Sequence, residues 1–70
     1  MTNKQFNESY RDFESMAKSK TLSEIAEWFD DHEEFTLINR DEISITFKSS
    51  DFLVCITKGL LSSSVILKRL

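Results

Sequence analysis

The chain has 70 residues, of which 40% are hydrophobic and 30% charged, and its formal net charge at pH 7 is −3. This composition is typical of one globular domain spanning residues 1–70, and it excludes a low-complexity linker because proline is absent and Gly59 is the only glycine. The single cysteine, Cys55, excludes an internal disulfide and a zinc site built on several thiolates.

Negative charge is concentrated in the first half of the chain. Residues 1–34 contain nine acids and four bases, whereas residues 35–70 contain three acids and five bases. This imbalance predicts a dipolar molecule with one acidic end.

The sequence predicts neither export nor membrane insertion. The N-terminal segment mixes acids with bases and has no apolar run, unlike a signal peptide. The longest apolar stretch, Phe52–Ile56, is far too short to cross a bilayer. We therefore expect a cytoplasmic protein.

A first helix is predicted from about Asn3 to Lys18. Thr2 followed by Gln5 matches a capping box, in which each of the two side chains binds the backbone amide of the other residue. Apolar side chains then recur with helical spacing and are expected to face the core. They are Phe6, Tyr10, Phe13, Met16 and Ala17.

A second helix is predicted to follow after a short break and to end near His32. Thr21 and Glu24 form another capping-box pattern. The apolar stripe of this helix consists of Leu22, Ile25, Ala26 and Phe29.

From Glu34 onward the apolar spacing changes to every second residue, which indicates strands. Phe35 and Leu37 are expected on one face of the first strand. The four expected strands lie within residues 35–38, 43–48, 52–56 and 60–70, and the last is centred on residues 65–67. Turns are predicted at residues 40–41, 49–51 and 58–59, and we expect Gly59 to adopt a positive φ there.

The order of these elements predicts an α+β fold. Since the helices come first and the strands follow (α-α-β-β-β-β), the two N-terminal helices should pack on one face of a three- to four-stranded antiparallel sheet. Short connections favour a meander, in which consecutive strands are neighbours.

Patterns for catalysis and metal binding are weak. Nothing in the spacing pairs Cys55 with His32, the only histidine, as a nucleophile and its base. The run from Asp30 to Glu34 is the only cluster of metal-ligand types, but five consecutive residues at a helix end point in different directions. With one glycine there is no phosphate-binding loop. We therefore expect no enzyme, no metal site and no cofactor.

Direct binding of nucleic acid is also disfavoured. Residues 22–26, Leu-Ser-Glu-Ile-Ala, resemble the opening helix of helix-turn-helix domains. However, no glycine-bearing turn and no second, basic helix follow them. The net negative charge is also wrong for neutralising phosphates.

The second helix and the residues after it form the strongest candidate for a binding site. Six acids and no lysine or arginine occur among the eleven residues from Glu24 to Glu34. Trp28 lies at the border between the acidic and apolar faces, where an aromatic ring ringed by carboxylates would anchor a basic partner. The predicted partner-binding residues are Glu24, Glu27, Trp28, Asp30, Asp31, Glu33 and Glu34.

We therefore predict a small acidic, non-enzymatic module that binds a protein partner with a basic surface. The expected class is an inhibitor, immunity or anti-defence factor of the kind encoded by phages and bacteria, which imitates phosphates and occludes a nucleic-acid-binding site. Two alternatives stay open. The acidic face can be a solvated helix surface with Trp28 in the core, or the chain can be a structural homodimer module.

The homodimer alternative depends on the apolar sheet surface and the last strand. Two short helices are not expected to cover all the apolar side chains of that strand, and an uncovered apolar edge strand favours self-pairing. These side chains belong to Val65, Ile66, Leu67 and Leu70.

Overall fold

The computed structural model describes residues 2–70 and confirms the predicted α+β fold. Four strands form one antiparallel sheet in the order β1-β2-β3-β4, so the topology is the predicted meander. The helices and strands are α1 (Asn3–Ser19), α2 (Leu22–Asp30), β1 (Thr36–Arg40), β2 (Ser44–Lys48), β3 (Phe52–Lys58) and β4 (Ser63–Arg69).

Both helices begin with the capping boxes that the sequence predicts. The Thr2 amide donates to Gln5 Oε1 over 2.9 Å, and the Gln5 amide donates to Thr2 Oγ1 over 3.2 Å. Thr21 and Glu24 repeat the arrangement with the same two distances. Because each box satisfies two amides that have no partner within the helix, it fixes the residue at which the helix begins.

Helix α2 ends at Asp30, two residues earlier than predicted. The His32 amide donates to the carbonyl of Phe29, three residues back, and not to that of Trp28. The Trp28 carbonyl instead accepts a 2.6 Å hydrogen bond from His32 Nδ1. The imidazole thus replaces a backbone donor, and the helical hydrogen-bond pattern stops there.

The core lies between the two helices and one face of the sheet. Helix α1 packs over β3 and β4, and helix α2 packs over β2. Of the predicted apolar face of α1, Phe13, Met16 and Ala17 are buried in the core. Phe6 is half-buried outside the core cluster, and Tyr10 is exposed. The buried core residues are Phe13, Met16, Ala17, Ile25, Phe29, Ile45, Phe47, Phe52, Val54, Ile56 and Val65.

Three stacked rings connect both helices to the sheet. Phe29 of α2 stacks on Phe47 of β2 with ring centroids 4.0 Å apart, and on Phe13 of α1 at 5.6 Å. Phe29 is 1% exposed, so its ring is the centre of the packing. Aromatic pairs of this kind stabilise a fold beyond the contribution of buried area alone.

Strand β1 departs from the predicted alternation. Phe35 lies just before the strand and packs against the core, whereas Leu37 is 52% exposed. A β-bulge at Ile38 interrupts the register between Leu37 and Asn39. Since the helices lie over the other three strands, β1 forms an uncovered edge and both of its faces are exposed.

Gly59 differs from the prediction in its backbone conformation. No described glycine has a positive φ, so the turn does not require left-handed geometry. Instead, a Cβ at Gly59 would meet the Ser62 carbonyl oxygen at 2.9 Å. The Gly59 amide donates to the same oxygen over 2.8 Å, so the residue is glycine because the chain closes tightly at this point. Lys58, predicted in the turn, belongs to β3.

The remaining turns are held by short polar side chains. Asp41 accepts hydrogen bonds from the amides of Ile43 and Ser44 and from the Ser44 hydroxyl, all within 3.0 Å. The Ile43 amide in particular, followed by the two Ser44 donors, lowers the pKa of the Asp41 carboxyl.

Within residues 2–70, neither helix is long and apolar enough to traverse a bilayer.

Candidate protein-binding site

The six acids predicted to bind a partner are all exposed, along α2 and the turn after it. Glu27 and Asp31 lie about one turn apart, a rise of about 6 Å. Among residues 2–70, no lysine, arginine or histidine nitrogen lies within 4.0 Å of any of the six carboxylates; the ion pair present joins Glu14 to Lys18 within α1. Within these residues, the carboxylates of this surface therefore form no ion pair with neighbouring side chains.

Glu24 differs from the other five acids because its carboxylate has a structural role. It accepts the Thr21 amide, and this hydrogen bond is the main cause of a lowered pKa at Glu24. The Thr21 side chain and the positive charges of Lys20 and Lys58 act in the same direction. Glu24 therefore adds charge to the surface while it holds the start of α2.

Trp28 is partly buried and belongs to the aromatic cluster that borders the core. Its indole packs edge-on against Phe29 at 5.0 Å and stacks on the imidazole of His32 at 3.8 Å. Trp28 therefore lies at the edge of the core, neither fully exposed nor fully buried. The indole is held in one position and presents only part of its surface to solvent.

A cleft of about 290 Å³ opens beside Trp28, between α1, the end of α2 and the turn that joins β2 to β3. Its base is formed by Phe13, Met16 and Phe52, each no more than 7% exposed. Trp28 and Phe35, both partly buried, form its sides. The cleft is thus a hollow with mainly aromatic walls, at the lower end of the size range for ligand sites.

Three acidic residues from three different parts of the fold line the same cleft. Asp12 comes from α1, Glu34 from the turn after α2, and Asp51 from the turn between β2 and β3. All three residues are exposed, and no lysine, arginine or histidine belongs to the cleft lining. The lining therefore combines flat apolar rings with unneutralised negative charge.

Sequence reasoning identified two of the residues that meet at this cleft, Trp28 and Glu34. It missed Asp12 and Asp51, which are 39 residues apart in the chain. Each appears in the sequence as an isolated acid, one on a helix surface and one in a serine-rich turn. Only the packing of α1 beside the β2–β3 turn brings them together.

Cys55 and His32, the residues considered for nucleophilic catalysis, lie on different sides of the sheet. Cys55 alternates with the buried Val54 and Ile56, so its side chain lies on the sheet face away from the helices. His32 lies on the helix side, against Trp28. Among residues 2–70, no three His, Cys, Asp or Glu side chains form a group able to hold a metal ion.

The sheet face away from the helices carries exposed positive charge, in contrast to the acidic surface of α2. Lys48 and Lys68 lie directly opposite Leu53 on its two neighbouring strands. Both lysines are exposed. Two bases thus occupy one side of the molecule, while the acids of α2 occupy the other.

Comparison with known proteins gives no relative for this chain. No protein-family model, no curated protein sequence and no solved structure matches it.

Proposed function

We propose that this protein is a non-enzymatic module that binds a basic surface of another protein through the acidic side of α2. The observation that supports the proposal is the row of exposed carboxylates from Glu24 to Glu34, none of which forms an ion pair with a base among residues 2–70. A target whose basic surface normally binds nucleic acid would be occluded by this row. The module would then act as an inhibitor or immunity factor.

Electrostatic considerations support this use of the acidic side. Like charges spaced three or four residues apart destabilise a helix by a few tenths of a kcal/mol per pair. A helix that served only to cover the sheet would gain by replacing some of these acids with lysine. A dense field of one sign increases the rate of association with an oppositely charged partner and makes it sensitive to salt.

The experiment compares the target captured by the wild-type protein with that captured by two charge-matched variants. The test variant carries Glu27→Lys and Asp30→Lys, which leave the Thr21–Glu24 capping box intact. The control carries Glu8→Lys and Glu42→Lys, at exposed positions outside the acidic row. Each reversal adds two positive charges, so both variants change the net charge from −3 to +1.

The wild type and the control variant are expected to retain the same target from a lysate of the source cell, identified by mass spectrometry, and the test variant is expected to lose it. The purified target should also release a labelled oligonucleotide when the module is added. Equal capture by the test and control variants would contradict the assignment of this surface. Simultaneous binding of module and oligonucleotide would contradict occlusion.

A second candidate function, a homodimer module, is favoured by the apolar side chains left uncovered along β4. Val65 and Leu67 pack towards the helices, but Ile66 is 57% and Leu70 64% exposed. Strand β4 is an edge of the sheet, and its free backbone groups can pair with a second copy. Sedimentation over a wide concentration range tests this candidate, since a monomer at every concentration would remove it.

A further inference from the structure

We propose that the cleft beside Trp28 receives the guanidinium group of an arginine side chain from the basic partner. The proposal rests on the function proposed above, and it specifies which partner group the site recognises. Its basis is the combination of aromatic walls with carboxylates, a combination that is complementary to a flat organic cation.

The aromatic rings are arranged around the hollow as one connected group. Phe13 lies 6.2 Å from both Trp28 and Phe35, and 5.8 Å from Phe52. Phe35 also lies 5.8 Å from Phe52. Since each ring is held by at least two others, the walls are already formed before any ligand enters. A cation placed over the face of an aromatic ring is attracted by its π electrons.

The carboxylates explain why the expected ligand is charged. Asp12, Glu34 and Asp51 come from separate elements and all line the cleft. A neutral apolar ligand would leave three carboxylates beside an apolar group. A guanidinium carries five donors in a rigid fork and can bond to more than one carboxylate while its flat face stacks on a ring. A volume of about 290 Å³ has room for one side chain but not for a dinucleotide-sized cofactor.

The experiment titrates the purified chain with three matched amides: N-acetyl-arginine amide, N-acetyl-lysine amide and N-acetyl-citrulline amide. Citrulline has the shape of arginine without the charge. Because Trp28 is the only tryptophan, its fluorescence reports the cleft directly. We expect saturable binding of the arginine amide, with a dissociation constant on the order of 1–50 mM as befits a single side chain. Lysine should bind more weakly and citrulline at least about tenfold more weakly.

Variants of the carboxylates test the same site from the protein side. Asp12→Asn, Glu34→Gln and Asp51→Asn should each weaken binding of the arginine amide about two- to fivefold. Asp30→Asn and Glu33→Gln remove equal charge on residues outside the cleft lining and should change it far less. Circular dichroism checks that every variant is folded. Equal effects of both sets would show that only long-range charge matters and would overturn the proposal.

Two further outcomes distinguish this inference from the proposed function. If citrulline binds as tightly as arginine, or if no amide gives a saturable change, the cleft does not recognise a guanidinium. If the target is then still lost with Glu27→Lys and Asp30→Lys, the inference fails and the proposed function stands. Saturable, arginine-selective binding together with target capture that is unchanged by those two reversals would support the cleft and overturn the assignment of the acidic row of α2.

Discussion

The imidazole of His32 stacks on the indole of Trp28, with ring centroids 3.8 Å apart and planes inclined by 20°. The same imidazole donates a 2.6 Å hydrogen bond from Nδ1 to the Trp28 carbonyl, so it contacts both the backbone and the side chain of one residue. His32 therefore closes α2 and supports the ring that borders the cleft.

Replacing His32 with alanine should destabilise the protein by about 1–2 kcal/mol, because it removes both an aromatic pair and a hydrogen bond. The indole should become more exposed, so the fluorescence maximum of Trp28 should shift to longer wavelength. Urea unfolding followed by fluorescence measures both effects. Glu33→Ala, one residue further on, is the control and should leave the emission maximum unchanged. An unshifted maximum in His32→Ala would show that the stacking does not shield Trp28.

The capping box of α2 should make stability depend on pH. The Thr21 amide lowers the pKa of Glu24 in the folded state below its ordinary value of 4.5. A group with a lowered folded-state pKa stabilises the fold above its unfolded-state pKa, and this stabilisation is lost as the pH falls through the folded-state value. Glu24→Ala should therefore be less stable than the wild type at neutral pH, and the difference should shrink below about pH 4.5.

Chemical denaturation at a series of pH values measures this difference. Glu27→Ala is the matched control, since Glu27 lies one turn further along α2 and is not part of the capping box. A difference between Glu24→Ala and the wild type that stays constant from neutral to acidic pH would contradict a role for the charged carboxylate.

Truncating the central aromatic side chain should unfold most of the protein. Phe29→Ala removes a ring that is 1% exposed, and such truncations cost about 3–5 kcal/mol. A chain of this size has about that much net stability in total. Circular dichroism should show largely unfolded protein. Leu61→Ala, at a fully exposed position, should stay within about 0.5 kcal/mol of the wild type. A folded Phe29→Ala would show that the cluster can repack around the lost ring.

Lys58 joins the sheet to the end of α1. Its Nζ donates to the Ala17 carbonyl over 2.6 Å, and this oxygen lies in the last turn of the helix, where carbonyls have no partner within the helix. Lys58→Met keeps the apolar part of the side chain and should lower the free energy of unfolding by about 1–2 kcal/mol. Thermal or urea unfolding measures it. Lys48→Met, at an exposed position, is the control. An equal decrease in the free energy of unfolding in this control would exclude a specific contribution from the hydrogen bond between Lys58 and Ala17.

Local features of the sequence were sufficient for the helices and the strand order. Thr21 and Glu24 are three residues apart, so their mutual hydrogen bonds require nothing beyond the chain near them. Ile45 and Phe47 alternate with polar residues and are both buried, as the period of a strand requires. Features that depend on contacts between distant parts of the chain were harder to predict. An example is the exposure of Leu37, on a strand that has no helix packed over it.

The α+β order, both helix starts and the concentration of acids along α2 follow from local patterns in the chain. Those properties depend on residues within one or two turns of each other. The role of Trp28 as a fixed wall of a cleft, which Asp12 and Asp51 line together with Glu34, depends instead on long-range contacts. These contacts arise from packing, since α1 lies over β3 and β4 to bury its apolar face. This placement brings Asp12, on the surface of α1, to the same cleft as Asp51, which lies in a turn 39 residues further along the chain.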